Sequence, residues 1–270
     1  MTFRAGRWGR GLVAAGLVLC GVGAVFLGSS RSSTARVVGA NRPVAVGDVR
    51  DIRGQNSPTI VRSPRDANRL VVVNRVDTPS FSCAMHVSAD GGRTWLESKL
   101  PFPAGEEDPP RCFAPDAAFG ADGTLYVSFV TLRGLGNEPG AGWVVSSTDG
   151  GTTLSEPSRA LGPLSFQARL VADPIRPGRL WLSWLQAEAL TTLGFADPGN
   201  PILVARSEDG GRSWGAPVRV SPPARGRILA PALAVGGEGR LYLAYLDLGE
   251  DRLDYHGAHE GRGGEPYQGR

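Results

Sequence analysis

Residues 207–214 read SEDGGRSW, residues 88–95 read SADGGRTW and residues 147–154 read STDGGTTL, so one octapeptide returns after 59 and then 60 residues. A pattern that recurs at a fixed interval of this size marks a repeated supersecondary unit. Within each copy an Asp precedes two glycines. The glycines let the chain turn through positive φ, while the carboxylate accepts backbone N–H groups of its own turn. The expected turn residues are Ser88, Asp90, Gly91, Thr94 and Trp95 in the first copy. They are Ser147, Asp149, Gly150 and Thr153 in the second, and Ser207, Asp209, Gly210, Ser213 and Trp214 in the third. A group needed in triplicate folds a hairpin rather than performs catalysis.

Short runs of strand-forming residues precede each octapeptide: CAMHV at 83–87, GWVVS at 142–146 and PILVAR at 201–206. Ahead of these stands a stronger apolar strand, RLVVV at 69–73, TLYVSF at 124–129, RLWLSW at 179–184 and RLYLAY at 240–245. Its leading leucines, Leu70, Leu125, Leu180 and Leu241, are 55, 55 and 61 residues apart. One more strand comes before each, introduced by SPTIV, APDAAF, ARLVA and APALAV. The unit is four antiparallel strands per repeat, with the octapeptide joining the third to the fourth, and that pattern fits a β-propeller blade. No octapeptide follows Leu241, so the expectation is an all-β propeller of about three and a half blades. Such a piece exposes strand edges and a blade face. It should therefore aggregate, pair with a copy of itself or continue into further blades.

The octapeptide resembles the Asp-box, or bacterial neuraminidase repeat, of sialidases and related propellers. The resemblance covers residues 50–270 and implies a six-bladed sialidase-like ring with the Asp-boxes opposite the ligand face. It does not by itself imply sialidase activity. The Arg-Ile-Pro motif by which sialidases grip a carboxylate is missing, NSPTIV standing in its place.

Residues 1–10 carry Arg4, Arg7 and Arg10, residues 11–28 are uncharged and largely apolar, and residues 29–49 form a polar linker. This order predicts one N-terminal apolar helix, serving as a transmembrane anchor or as a signal peptide, with the propeller outside the cytoplasm or secreted. Those three arginines account for the net charge of +3. The neutral remainder offers no basic field for nucleic acid. Export makes a disulfide between Cys83 and Cys112 the expected state of the two cysteines beyond the apolar run. Two cysteines and three scattered histidines do not make a zinc site, and nothing points to a cofactor.

The loops opposite the octapeptides are the long ones, at 97–110, 130–141, 185–200 and from 246 onward. Arg111, Arg169 and Arg227 stand at or near the start of innermost strands, where guanidinium groups can hold a carboxylated or hydroxylated ligand bidentately. Asp116 falls by the same rim. The run YLDLGEDRLDYHGAHE places Tyr255 where a nucleophile would be useful. The functional expectation is an extracytoplasmic glycan-acting propeller of exo-glycosidase type, or a non-catalytic propeller that binds glycan or protein.

Overall fold

The computed structural model describes residues 42–44, 54–106, 110–190, 200–223 and 228–247. The expected N-terminal helix lies outside these residues. Among those described, no helix is long and apolar enough to cross a membrane.

Three four-stranded antiparallel sheets follow one another along the chain. The first holds β1 (Gln55–Arg62), β2 (Leu70–Val76), β3 (Ser82–Ser88) and β4 (Leu96–Ser98). The second holds β5 (Arg111–Phe119), β6 (Leu125–Arg133), β7 (Glu138–Ser147) and β8 (Ser158–Leu161). The third holds β9 (Ser165–Ala172), β10 (Leu180–Gln186), β11 (Ile202–Ser207) and β12 (Val218–Arg219). A fourth, two-stranded sheet pairs β13 (Ile228–Val235) with β14 (Leu241–Asp247). Each strand pairs with its neighbour in sequence, so every sheet is a simple meander.

The sheets stack face to face through the alternation of their central strands. On β6, Leu125, Val127 and Phe129 pack with Val71, Val73 and Met85 of the first sheet. The intervening Tyr126 and Val130 pack with Leu170, Leu180, Leu182 and Trp184 of the third. Period-2 alternation thus serves two cores at once, and so eight of the nine residues of β6 are buried. A third cluster joins Leu185 and Ile202 to Ile228 and Leu243. The result is an all-β, propeller-like stack in which β1, β5, β9 and β13 form the inner wall. Among the described residues β1 is largely exposed, Ile60 at 63%.

One expected loop is absent. Residues 130–141 were expected to form a long loop on the ligand face. Instead β6 runs to Arg133 and β7 starts at Glu138, with Arg133 opposite Glu138 and Leu132 opposite Pro139. The tight turn between them uses Gly134 at φ 63° and Asn137 at φ 53°. These residues tolerate the left-handed region, so a Gly-rich stretch closes a hairpin.

Cys83 of β3 and Cys112 of β5 are joined, with their Cα atoms 5.7 Å apart. The bond ties the first sheet to the second beside the core that they share.

Candidate functional site on the inner wall

The octapeptides form the same turn three times. Ser88, Ser147 and Ser207 donate to Oδ1 of Asp90, Asp149 and Asp209 at 2.7–2.8 Å. Each serine oxygen also accepts the N–H of the second glycine at 2.8–2.9 Å. Two positions past the glycines, the N–H of Thr94, Thr153 and Ser213 donates to Oδ1 at 2.9 Å. Their hydroxyls donate to Oδ2 at 2.5–2.7 Å. The indoles of Trp95 and Trp214 close the turn by donating to Gly92 O and Gly211 O. With both oxygens accepting from their own turns, these carboxylates are tied into the backbone.

Donors from the turn hold all three carboxyls below the ordinary range. The Thr94 hydroxyl leads at Asp90, the Thr153 N–H at Asp149, and the Ser213 hydroxyl at Asp209, which falls to about 2. A carboxyl with a depressed folded pKa stabilises the fold above its unfolded pKa, about 3.9, and loses that contribution as pH falls. Stability should therefore decline between about pH 4 and pH 2 as these turns are protonated. Asp209→Ala should cost about 1–3 kcal/mol through the orphaned donors. It should also flatten part of this acid limb, as thermal melts across pH would show.

The site residues expected near the rim fare differently. Arg111 opens β5, but its guanidinium donates to Asn137 Oδ1 at 2.6 Å and to Gly134 O at 2.7 Å, so it positions the β6–β7 turn of its own sheet. Asp116 lies in mid-strand rather than at the rim and is 6% exposed. A register shift between Phe113 and Asp116 turns its side chain toward the third sheet. There Oδ2 accepts the Leu170 N–H at 2.9 Å and Oδ1 accepts its neighbour's, Ala117 N–H, at 3.0 Å. Burial pushes this carboxyl up, against the Leu170 hydrogen bond and the positive charge of Arg169. Arg169 is exposed on β9 and makes no ion pair among the described residues. Asp116 and Arg169 are thus the two expected residues that the fold brings together. Arg227 and Tyr255 lie outside the described residues.

The inner wall holds features that sequence reading missed. Ser57, Ala114, Gln167 and Ala230 take φ of 49°, 48°, 51° and 52°, one in each inner strand. Each residue of such strain costs about 1–3 kcal/mol. It bends the strand where Thr59, Asp116, Arg169 and Ala232 follow two residues later. The neighbouring SPT, APD, QAR and APA triplets were the available signal. Gln167 Oε1 accepts the Ala230 N–H at 2.7 Å, as Asp116 does for Leu170, so side chains satisfy inner-edge donors of the next sheet. At the rim, Arg75 lies over the rings of Phe113 and Phe81, 4.7 Å and 5.4 Å from the centroids, and is paired to Asp77. Glu106 is paired to Arg133. These rim charges are engaged within the protein. Beyond the Asp116–Arg169 level, a cavity of about 380 Å³ runs between the strand ends, lined by Arg62, Ala118, Phe119, Val171 and Val235. Among the described residues no group of three or more potential metal ligands forms.

No protein-family model matches the chain, and no curated protein matches it. Among solved structures, it is similar to a protein of unknown function from Dyadobacter fermentans, at 16% identity and a TM-score of 0.53, with 73% of this chain and 64% of that one covered. An α-L-arabinanase of Penicillium chrysogenum matches at 17% identity and a TM-score of 0.49, covering 71% and 57%. A Trypanosoma rangeli sialidase matches at 15% and 0.45, covering 71% and 33%. The chain spans less than two thirds of the length of each of these structures. At such identity the first of these likenesses speaks to the fold alone.

Proposed function

We propose that the chain is a sialidase-like propeller that binds an acidic or hydroxyl-rich glycan on its inner wall, outside the cytoplasm. The observation that carries this reading is the exposed Arg169 guanidinium beside the buried Asp116 carboxyl. Arginine presents a fork of donors suited to a sugar carboxylate or vicinal hydroxyls, and this one has no ion-pair partner among the described residues. The three octapeptide turns support kinship with Asp-box propellers, since their shared geometry is that of a structural repeat. The joined Cys83 and Cys112 and the apolar run at 11–28 support export, by anchor or by cleaved signal. Under this reading the membrane contact is the N-terminal segment, and a second copy or further blades would cover the exposed residues of β1 and β14.

A second reading, an exo-glycosidase, draws on Asp116. Burial moves this carboxyl upward, the direction in which a general acid is tuned. A glycan array alongside a panel of fluorogenic glycosides, a sialoside included, separates the two readings. Binding without turnover is expected. Arg169→Ala should weaken binding of a carboxylated sugar by about tenfold or more, the worth of one charge-assisted hydrogen-bonded pair. Unchanged affinity in that variant would remove Arg169 from the site, and turnover abolished by Asp116→Asn would favour the enzyme.

A further inference from the structure

The buried carboxyl of Asp116 has donors from two neighbouring sheets. Leu170 and Ala117 give it their N–H groups, and the Thr59 hydroxyl of β1 donates to it as well. Beside it on β6 stands Ser128, its direct cross-strand partner. Side chains of such a pair share one face of the sheet, with Cβ atoms about 4.5–5.5 Å apart. Ser128 is 2% exposed, and its hydroxyl has no hydrogen-bond partner. A buried hydroxyl left unpaired costs free energy, so a state of the site that uses it gains by doing so. The ionised carboxylate is served by its donors without Ser128. The protonated carboxyl has an O–H of its own to donate, and Ser128 Oγ is an acceptor beside it.

The charges point the same way. Among the described residues, the one charge that acts on Asp116 is that of Arg169, the neighbour of Leu170 on β9. Thr59 of β1 and Ser128 of β6 are uncharged, as are Leu182 and Trp184, which β10 turns to this boundary. Tyr126, the nearest titratable group of β6 on that face, reaches toward Gly210 instead. With no ligand bound, the guanidinium steadies the carboxylate against its burial. An anion held by Arg169 offsets that positive charge and brings a negative one toward a buried carboxylate. Both effects favour a proton on Asp116.

We propose that Asp116 and Ser128 form a proton store behind Arg169: when a carboxylated sugar binds the guanidinium, Asp116 takes up one proton from solvent and donates it in a hydrogen bond to Ser128 Oγ. The inference rests on the reading of Arg169 as the glycan-binding group and adds the ligand class and its pH dependence. By linkage, proton and ligand strengthen each other's binding by the same factor, so an acidic sugar binds more tightly as pH falls. A neutral sugar leaves the charge of Arg169 in place and shows no such dependence.

The test is calorimetry of the full chain with N-acetylneuraminic acid and glucuronic acid, with glucose as the neutral control. Titrations run from about pH 7 to about pH 4.5, above the range in which the octapeptide turns are protonated. Pairs of buffers that differ in ionisation enthalpy read proton uptake directly. Binding of at least one acid is expected to tighten by about threefold or more over this range, with net proton uptake. Glucose is expected to show neither effect. Asp116→Asn should bind that acid without pH dependence. Ser128→Ala keeps the carboxyl, changes little volume and should shrink the dependence. Acid binding that does not vary with pH in the parent overturns the proposal and leaves the reading of Arg169 standing, whereas failure of both acids to bind at any pH overturns the two together. A pH dependence of parental size in Ser128→Ala, or the same dependence for glucose, also overturns the proposal.

Discussion

Replacing Cys112 with Ser, or reducing the Cys83–Cys112 bond, is expected to lower the stability of the described domain by about 3–4 kcal/mol. That figure follows from the loop closed across the 29-residue separation. The physical setting sharpens the expectation. The bond links β3 to β5, and β1, the inner strand of the first sheet, is largely exposed. Without the bond, that sheet is held by the shared core of Val71, Val73 and Met85 against Leu125, Val127 and Phe129. Its release should therefore precede melting of the second and third sheets. Chemical denaturation of the oxidised and reduced chain checks the size of the effect. Hydrogen exchange checks its place, with β1 and β2 losing protection first. A difference below about 1 kcal/mol would mean that the bond constrains little.

The second large effect belongs to Gly151. It is the second glycine of the middle octapeptide, at φ 96°, and it packs into the boundary between the first and second sheets. A Cβ there would stand 2.7 Å from Val87 Cγ1 and 2.9 Å from Met85 Cε. Gly151→Ala should cost about 2–5 kcal/mol, combining left-handed backbone strain with overpacking of a filled core. Gly162→Ala provides the contrast. No atom lies within 4 Å of the Cβ position there, so its melting temperature should barely move. Equal stability of the two variants would mean that the turn does not seat in the neighbouring sheet as described.

The architecture could be read from the sequence where chemistry repeats. The Asp-Gly-Gly turns announce themselves because only glycine suits two consecutive positive φ values, and Leu70, Leu125, Leu180 and Leu241 mark the central strands by spacing alone. The inner wall was harder to read. Whether Asp116 faces solvent or the next sheet depends on strand parity, and the irregularity between Phe113 and Asp116 shifts that parity without a glycine to signal it. Ala114, held at φ 48°, is an unlikely residue for such a position. Arg111 looked like a ligand group because its partners, Gly134 and Asn137, are distant in sequence and become neighbours only when β6 and β7 close their hairpin.

The central claim is a division of labour, in which the octapeptide turns hold the fold and the inner wall takes the ligand. The most direct measurement is affinity for a glycan identified on the array, determined side by side with melting temperature for Arg169→Ala and Asp209→Ala. Arg169→Ala is expected to lose affinity by about tenfold or more at an unchanged melting temperature. Asp209→Ala is expected to melt earlier but, below its transition, to bind as the parent does. Lost affinity with unchanged melting in Asp209→Ala, together with full affinity in Arg169→Ala, would contradict it.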